Sequence, residues 1–141
     1  MNIGEAAGAS GISAKMIRHY ESIGLIRQSR RSEAGYRIYD DKDLHTLRFI
    51  RRSRSMGFSL DQIHDLLSLW QDSERASSDV KAIAQAHVVD LNRRIQELSE
   101  MRDTLQHLAA ACAGDQRPDC PILQDLADKD DAGCHAPARL P

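Results

Sequence analysis

Aromatic side chains are scarce in this sequence of 141 residues, which has one tryptophan, three tyrosines and two phenylalanines. A chain of this length forms one or two small domains, and their core must be built mainly from aliphatic side chains. No apolar run is long enough to span a bilayer, and the N-terminus lacks the basic-then-apolar pattern of a secretory signal. We therefore expect no membrane association and a cytoplasmic location.

Cysteines are also few, and the three present are Cys112, Cys120 and Cys134. Three cysteines cannot all pair within one chain, and a reducing cytoplasm would keep them as thiols. They are therefore candidate free thiols or metal ligands. The sequence has no glycine-rich phosphate loop, no paired acid and base, and no nucleophile with an evident orienting partner. These absences argue against an enzyme.

The net charge of −2 conceals a strong asymmetry. Residues 1–60 carry 11 lysines and arginines against 6 acidic residues, whereas residues 61–141 carry 8 against 15. A basic head on an acidic body suits a protein whose head meets a polyanion such as nucleic acid. A solvated charged surface would explain the same numbers.

The first 24 residues predict two short helices. Asn2 with Glu5 forms a capping box that begins the first helix, and Gly11 lies in the turn that follows it. Ser13 caps a second helix, which ends near Gly24 at an expected left-handed position. Two short helices joined by a glycine-containing turn are typical of a helix-turn-helix.

A β-hairpin is predicted next, with strands at residues 25–27 and 36–39 and a loop at 32–35. Alternation along the second strand places Arg37 and Tyr39 on the same face. Small hairpins of this kind form the wing of a winged helix-turn-helix.

Two further helices complete the head. Asp40 caps the first of them, with Asp43 in its opening turn, and Gly57 stops it. Ser59 with Gln62 forms another capping box, which opens a helix that runs to about residue 70.

Residues 71–78 are polar and are predicted to be a linker. Residues 79–111 contain neither proline nor glycine, and their apolar positions recur at steps of three and four. This predicts one helix of about nine turns with an apolar seam that so small a chain cannot bury. Dimerisation through the seam is our interpretation, and the alternative is a helix folded back on its own head.

Cys112 and Cys120 are separated by seven residues at the point where the long helix should end. A loop of this length can bring two sulfurs around one ion. Two thiolates alone suit a soft monovalent ion such as Cu(I), whereas structural zinc takes four ligands. The alternative is that both cysteines pack as small apolar residues. Cys134 and His135 in the tail could add an auxiliary metal contact.

Arginine, lysine and tyrosine side chains are concentrated in the head. On a recognition helix such side chains can read base edges, and in a wing or loop they hold phosphates. For Tyr36 and Tyr39 the alternative is packing within the hairpin.

Several segments resemble the MerR family of transcription regulators: residues 1–4, 13–21, 24–26, 31–39 and 56–60. The resemblance to the copper-responsive members of that family extends through residues 77–81, 101–103 and 112–122, and covers the chain from Met1 to about Leu126. We therefore expect neither the large C-terminal effector domain of antibiotic-binding relatives nor the four-cysteine cluster of the redox-sensing relative.

We therefore predict a mainly α fold with four parts: a winged helix-turn-helix DNA-binding domain at 1–70, a linker and dimerisation helix at 71–111, a metal-binding loop and short helix at 112–127, and a flexible tail at 128–141. The resemblance implies an antiparallel coiled-coil homodimer through residues 79–111. It also implies that each metal loop lies near the partner's head.

The resemblance also assigns site residues. Positions matching DNA contacts in the family are Lys15, Arg18, Tyr20, Arg31, Tyr36, Arg37 and Arg54. Cys112 and Cys120 match the ligands of Cu(I), or alternatively Ag(I) or Au(I), with one ion per protomer. Ser77 stands where relatives that sense divalent ions have a third cysteine, and it could equally be only a helix cap.

The mechanism implied by the resemblance acts on promoters whose −35 and −10 elements are too far apart for RNA polymerase. The metal-bound dimer undertwists the spacer, which is a form of indirect readout, and so activates copper-efflux or detoxification genes. Two rival hypotheses are a passive metal-buffering or delivery protein, and a thiol enzyme or peroxide sensor that uses the two cysteines as a reversible pair.

Overall fold

The structure, a computed structural model, describes residues 1–116 and 118–128. The predicted tail from residue 129 onward, with Cys134 and His135, lies outside the described residues. The chain forms two compact units, Met1–Ile83 and a second that begins at Ala84. Its elements are α1 (Ile3–Ser10), α2 (Ala14–Ser22), β1 (Arg30–Arg31), β2 (Arg37–Ile38), α3 (Asp41–Ser55), α4 (Leu60–Gln71), α5 (Ser77–Ala111) and α6 (Pro121–Ala127).

The helix-turn-helix begins as its capping signals predict. The Glu5 amide donates to Asn2 Oδ1 at 2.8 Å, and the Asn2 amide donates to Glu5 Oε1 at 3.1 Å. Ser13 Oγ accepts from the third amide of α2 at 3.2 Å. Gly11 ends α1 with φ of 77°, and Gly24 follows α2 with the same φ, a region that favours glycine. These local signals are confirmed.

The wing is a two-stranded antiparallel sheet in which Arg31 pairs with Arg37. Its loop turns at Gly35, as expected, with φ of 86°. The predicted strand at residues 25–27 is wrong. The amides of Leu25 and Ile26 instead donate to the Tyr20 carbonyl at 2.9 and 3.3 Å, closing the end of α2.

The side chains of Leu25 and Ile26 are buried in the core of the head. Apolar residues next to a helix end can thus resemble a strand in sequence while serving as a helix stop. The strand that pairs with β2 begins only at Arg30.

The core of the first unit is mostly aliphatic, as the shortage of aromatics requires. Its members are Ala6, Ile12, Ile17, Tyr20, Leu25, Ile26, Tyr39, Leu47, Ile50, Ile63 and Leu67. Each fully buried leucine or isoleucine contributes about 1.5–3 kcal/mol relative to an exposed one. This core fixes α1 and α2 against α3 and seats the wing through Tyr39.

Both later helices of the head begin with capping boxes, of which the one at Ser59 was predicted as such and the one at Asp40 was predicted only as a cap. Asp40 and Asp43 exchange hydrogen bonds at the start of α3, as do Ser59 and Gln62 at the start of α4. Phe49 of α3 stacks on Trp70 of α4 with ring centroids 4.5 Å apart. The two helices are therefore joined by an aromatic contact as well as by the aliphatic core.

Helix α5 has 35 residues and is about 52 Å long. It begins at Ser77 rather than Asp79, so the linker after α4 shortens to residues 72–76. Five large apolar side chains of α5 are exposed in the single chain: Val88, Val89, Ile95, Leu98 and Leu105. Helix α6 confirms the predicted short helix near residues 122–127. In the part of the chain that the structure describes, no helix is both long and apolar enough to cross a membrane.

Candidate nucleic-acid interface and metal centre

Helix α2 has one buried face and one exposed basic face. Ile17 and Tyr20 enter the core, with 0% and 5% of their surface exposed. Lys15 and Arg18 are exposed and stand three residues apart, which places them on the same side of the helix. Because Tyr20 is a core residue, the structure gives it a packing role, and its predicted DNA contact stays a prediction.

The wing and α2 together form a concavity of about 510 Å³. It is lined by Asn2, Ile3, Arg18, Arg31, Gly35, Tyr36 and Arg37. Four of the seven predicted DNA-contact residues are thus brought to one place. The Tyr36 side chain does not pack within the hairpin, because 72% of its surface is exposed. A concave surface with three guanidinium groups and an exposed phenol can receive a polyanion.

The two wing arginines are held in different ways. Arg31 Nη1 donates to the Gly35 carbonyl at 3.1 Å, while its side chain remains exposed. Arg37 Nε donates to Glu21 Oε2 at 3.1 Å, and Arg37 is only partly exposed. Arg31 is therefore free to reach a phosphate, whereas Arg37 also has a structural role.

Glu21 is a buried carboxylate that sequence reasoning did not single out. Burial opposes its ionisation, but hydrogen bonds from the Ser29 amide and hydroxyl, with the charge of Arg37, hold its pKa below the usual value. The Tyr39 hydroxyl also donates to it at 3.3 Å. An acidic residue on a basic recognition helix was the available signal, and its partners are distant in sequence.

Arg54 lies in the last turn of α3. Its Nη1 donates to the Phe58 carbonyl at 3.4 Å, and its side chain is exposed. Arg54 does not line the concavity of α2 and the wing. The DNA contact predicted for Arg54 stays a prediction.

The two predicted sulfur ligands lie at the ends of two helices. Cys112 directly follows α5, Cys120 directly precedes α6, and both are half-buried free thiols. The Leu123 amide, and then the Ile122 amide and the nearby Cys112 side chain, lower the pKa of Cys120 against the opposing effect of partial burial. Cys112 thus lies near enough to influence Cys120, and the surroundings of Cys120 favour its thiolate.

Within residues 1–116 and 118–128, no cluster of three or more histidine, cysteine or acidic side chains could hold a metal ion. Among the described residues, the candidate donors at this point of the chain are the two soft sulfurs of Cys112 and Cys120. This set fits a soft ion of low coordination number and does not complete a four-ligand zinc site. Ser77 is exposed and is the first residue of α5, with Ala76 before it in the capping position.

Two family models match the chain. The model for MerR HTH family regulatory proteins matches residues 1–70, and the model described as MerR, DNA binding matches residues 44–108. Together they cover the head and most of α5. The matches agree with the helix-turn-helix, the wing and the long helix described above.

Similar proteins come from several bacteria. An uncharacterised HTH-type transcriptional regulator of Pseudomonas aeruginosa is 63% identical, over 95% of this chain and 98% of its own. Heavy metal-dependent transcription regulator 2 of Rhizobium meliloti is 58% identical, over 91% and 87%. The HTH-type transcriptional regulator CueR of Salmonella typhimurium is 41% identical, over 100% and 99%.

A solved structure shares the same fold. The transcription regulator PbrR691 from Ralstonia metallidurans, in complex with lead(II), is 35% identical and superposes with a TM-score of 0.76, covering 90% of this chain and 99% of its own. The basic helix-turn-helix with its wing, the family models and these relatives agree. The chain belongs to the MerR family of helix-turn-helix regulatory proteins, which are DNA-binding transcription regulators and not enzymes.

Proposed function

We propose that this chain is a Cu(I)-responsive transcription activator that binds promoter DNA as a homodimer and holds one ion per protomer between Cys112 and Cys120. Ag(I) and Au(I) are the other ions that the same donor set would take. The observation that carries the proposal is the placement of two free cysteines at the end of α5 and the start of α6, where the surroundings, Cys112 among them, lower the pKa of Cys120.

The chemistry of the pair supports a soft ion. Metal binding to thiols requires loss of their protons, and the Ile122 and Leu123 amides at Cys120 already favour the thiolate. Thiolate ligands prefer Cu(I) over hard cations, and two-coordinate sulfur ligation suits this monovalent ion. Relatives named as heavy metal-dependent regulators support a metal signal, although they do not specify copper.

DNA recognition is assigned to the basic surface of the head. In a helix-turn-helix the second helix enters the major groove, so Lys15 and Arg18 on the exposed side of α2 are placed to reach base edges or flanking phosphates. Arg31, Tyr36 and Arg37 on the wing, with Arg54 on α3, would contact the backbone and fix the register. Tyr20 would contribute mainly by packing α2.

A homodimer explains the apolar side chains that one chain leaves exposed on α5. Val88, Ile95, Leu98 and Leu105 follow steps of seven, three and seven residues, which gives a stripe along the helix. An antiparallel partner helix would bury this stripe. Two heads would then be available for the two halves of a palindromic promoter element.

Metal binding would change the activity of the dimer through the ends of α5 and α6. A bound ion would tie the residue after α5 to the residue before α6, and so select one arrangement of the loop. A roughly 10⁴-fold preference of the ion for the active conformer moves a 1:99 equilibrium to 99:1. The active dimer would undertwist the promoter spacer so that RNA polymerase can start transcription of copper-efflux or detoxification genes.

The test is run-off transcription with Cu(I), using the wild type and the single variants Cys112→Ser and Cys120→Ser. Each variant should lose Cu(I)-dependent activation and keep operator binding in a gel shift. Cys134→Ser is the matched control, and it should respond as the wild type does. Retained activation in both test variants would contradict the proposed ligand set.

The same sulfur contact also permits a redox switch, because adjacent thiols can be oxidised to a disulfide. Diamide would accept the two electrons and two protons released when the sulfurs bond. Activation of the metal-free protein by diamide, without activation by Cu(I), would favour this second function. A buffering protein would bind Cu(I) and change no transcription.

A further inference from the structure

A second basic concavity lies on the head, with a volume of about 430 Å³. It is lined by Ala9, Ser10, Arg48, Arg51, Arg52 and Ser55. The three arginines and Ser55 occupy positions i, i+3, i+4 and i+7 of α3, which is one face of that helix. No lining residue is shared with the concavity of α2 and the wing.

The charge of this concavity is uncompensated within the described residues. Arg48, Arg51 and Arg52 are exposed, and no described carboxylate lies within 4.0 Å of their guanidinium groups. Other arginines of the head differ, since Arg27 pairs with two aspartates and Arg37 pairs with Glu21. The remaining lining residues are alanine and serine, so three positive charges face one hollow.

The contacts of these arginines place the second concavity beside the turn of the helix-turn-helix. Arg48 Nη2 donates to the Ala9 carbonyl at 3.3 Å, in the last turn of α1. The Arg51 side chain lies against Gly11, where an added Cβ would be 2.8 Å from Arg51 Nε. Arg52 has no hydrogen bond from its side chain to any described residue. Arg48 can stabilise the negative end of the α1 dipole through its contact with a carbonyl of the last turn. Arg52 makes no such contact, so this structural role does not explain why it is there.

The position of the turn identifies the ligand. In a helix-turn-helix the first helix crosses the DNA backbone while the second enters the major groove. The end of α1 and the turn at Gly11 therefore face the backbone beside the groove that α2 enters. A polyanion held there would meet three guanidinium groups, which suit phosphate oxygens in charge and hydrogen-bond geometry.

We infer that Arg48, Arg51 and Arg52 form an additional phosphate-binding site for the DNA backbone next to the segment that α2 reads. This inference rests on the promoter binding proposed above and extends its footprint. Phosphate contacts carry no sequence information, so this site adds affinity and register while leaving sequence preference to α2 and the wing.

The test measures affinity against salt concentration for the full-length protein. The probe is a duplex that the wild type selects from a randomised library, compared with an unrelated duplex of equal length. The variants are Arg51→Gln and Arg52→Gln. Lys42→Gln is the matched control, because Lys42 is an exposed cation at the other end of the same helix. Circular dichroism and the fluorescence of the single tryptophan check folding.

Each variant should weaken binding to both duplexes by a similar factor. The slope of log K against log salt should become shallower by about 0.9 for each phosphate that the variant no longer neutralises, hence by about 1.8 for a dimer with one such phosphate per protomer. Lys42→Gln should keep the wild-type slope. If Arg51→Gln misfolds, Arg52→Gln alone tests the inference. The Arg52 side chain makes no hydrogen bond within the described head, so its replacement should leave the fold intact.

Three results would overturn the inference, and they differ in what they leave standing. A wild-type slope in both arginine variants would remove the phosphate site and leave the proposed function intact. An unchanged slope with loss of run-off transcription would assign the concavity to an acidic surface of the polymerase instead. Failure of the wild type to select any duplex would overturn the proposed promoter binding together with this site.

Discussion

Glu21 Oε2 accepts a hydrogen bond from Arg37 Nε at 3.1 Å, which joins the recognition helix α2 to the wing strand β2. The Glu21 side chain is only 3% exposed and also accepts hydrogen bonds from Ser29 and Tyr39. One buried carboxylate therefore sets the position of the wing relative to the helix. Because Arg18, Arg37 and Tyr36 line the same concavity, the shape of the candidate DNA interface depends on it.

Glu21→Gln should lower the free energy of unfolding by about 1–3 kcal/mol, because it removes charge-assisted hydrogen bonds to a buried group. Operator affinity should fall as well, since the wing loses its fixed position. Urea denaturation followed by tryptophan fluorescence and a gel shift measure the two effects. Glu33→Gln, at an exposed glutamate in the wing loop, is the control and should change neither.

The same carboxylate makes stability depend on pH in a defined direction. The pKa of Glu21 lies below its ordinary value of 4.5, because hydrogen bonds from Ser29 and the charge of Arg37 outweigh its burial. Its contribution is therefore fully present above about pH 4.5 and is lost as the pH falls through the lower folded pKa. The free energy of unfolding, measured from pH 7 to pH 3, should be higher for the wild type than for Glu21→Gln, and this difference should disappear only at the acid end. A difference that grows on acidification would contradict the predicted direction.

Arg18→Ala should reduce operator affinity by about 1–3 kcal/mol, because the proposed role of this exposed arginine of α2 is to contact a base edge or a phosphate. Fluorescence anisotropy with a labelled operator at moderate salt measures the change. Lys42→Ala removes an exposed cation outside the α2–wing concavity and should have little effect. Unchanged affinity in Arg18→Ala would remove this residue from the contact set.

Leu98→Glu should shift the protein toward monomer and abolish operator binding, because it places a charge in the apolar stripe of α5. In the single chain 63% of the Leu98 surface is exposed, as expected for a residue that a partner covers. Light scattering at micromolar concentration measures the mass. Asn92→Glu adds the same charge on another side of α5 and should remain dimeric. A monomeric wild type under these conditions would overturn the dimer proposal.

Ser77→Cys should broaden the response toward Zn(II) or Cd(II). A third sulfur from the partner chain would raise the number of ligands toward what divalent ions need. Run-off transcription across a panel of metals measures the change, with Ser78→Cys as the neighbouring control. If the wild type already responds to Zn(II) as strongly as to Cu(I), the argument from two ligands is wrong.

Local signals in the sequence were the most reliable guide to the fold. The capping boxes at Asn2 and Ser59 and the cap at Asp40 predicted three helix starts correctly, because each involves residues only three positions apart. The strand expected at residues 25–27 failed because its apolar pattern also fits a helix stop. The two structures differ in which amides donate to the Tyr20 carbonyl. The spacing of apolar residues carries no information on that hydrogen bond.

The sequence by itself determined the order of elements, the basic head, the long helix with its apolar stripe, and the two cysteines at its end, since these depend on composition and on spacing along the chain. Only the tertiary structure decided which distant side chains meet. It placed Glu21 against Arg37, gathered Arg18 with the wing, set Cys112 near enough to Cys120 to lower its pKa, and grouped three arginines of α3 with the last residues of α1. Contacts between residues far apart in sequence depend on how the core packs helix against helix, and a linear pattern does not encode that geometry in a readable form.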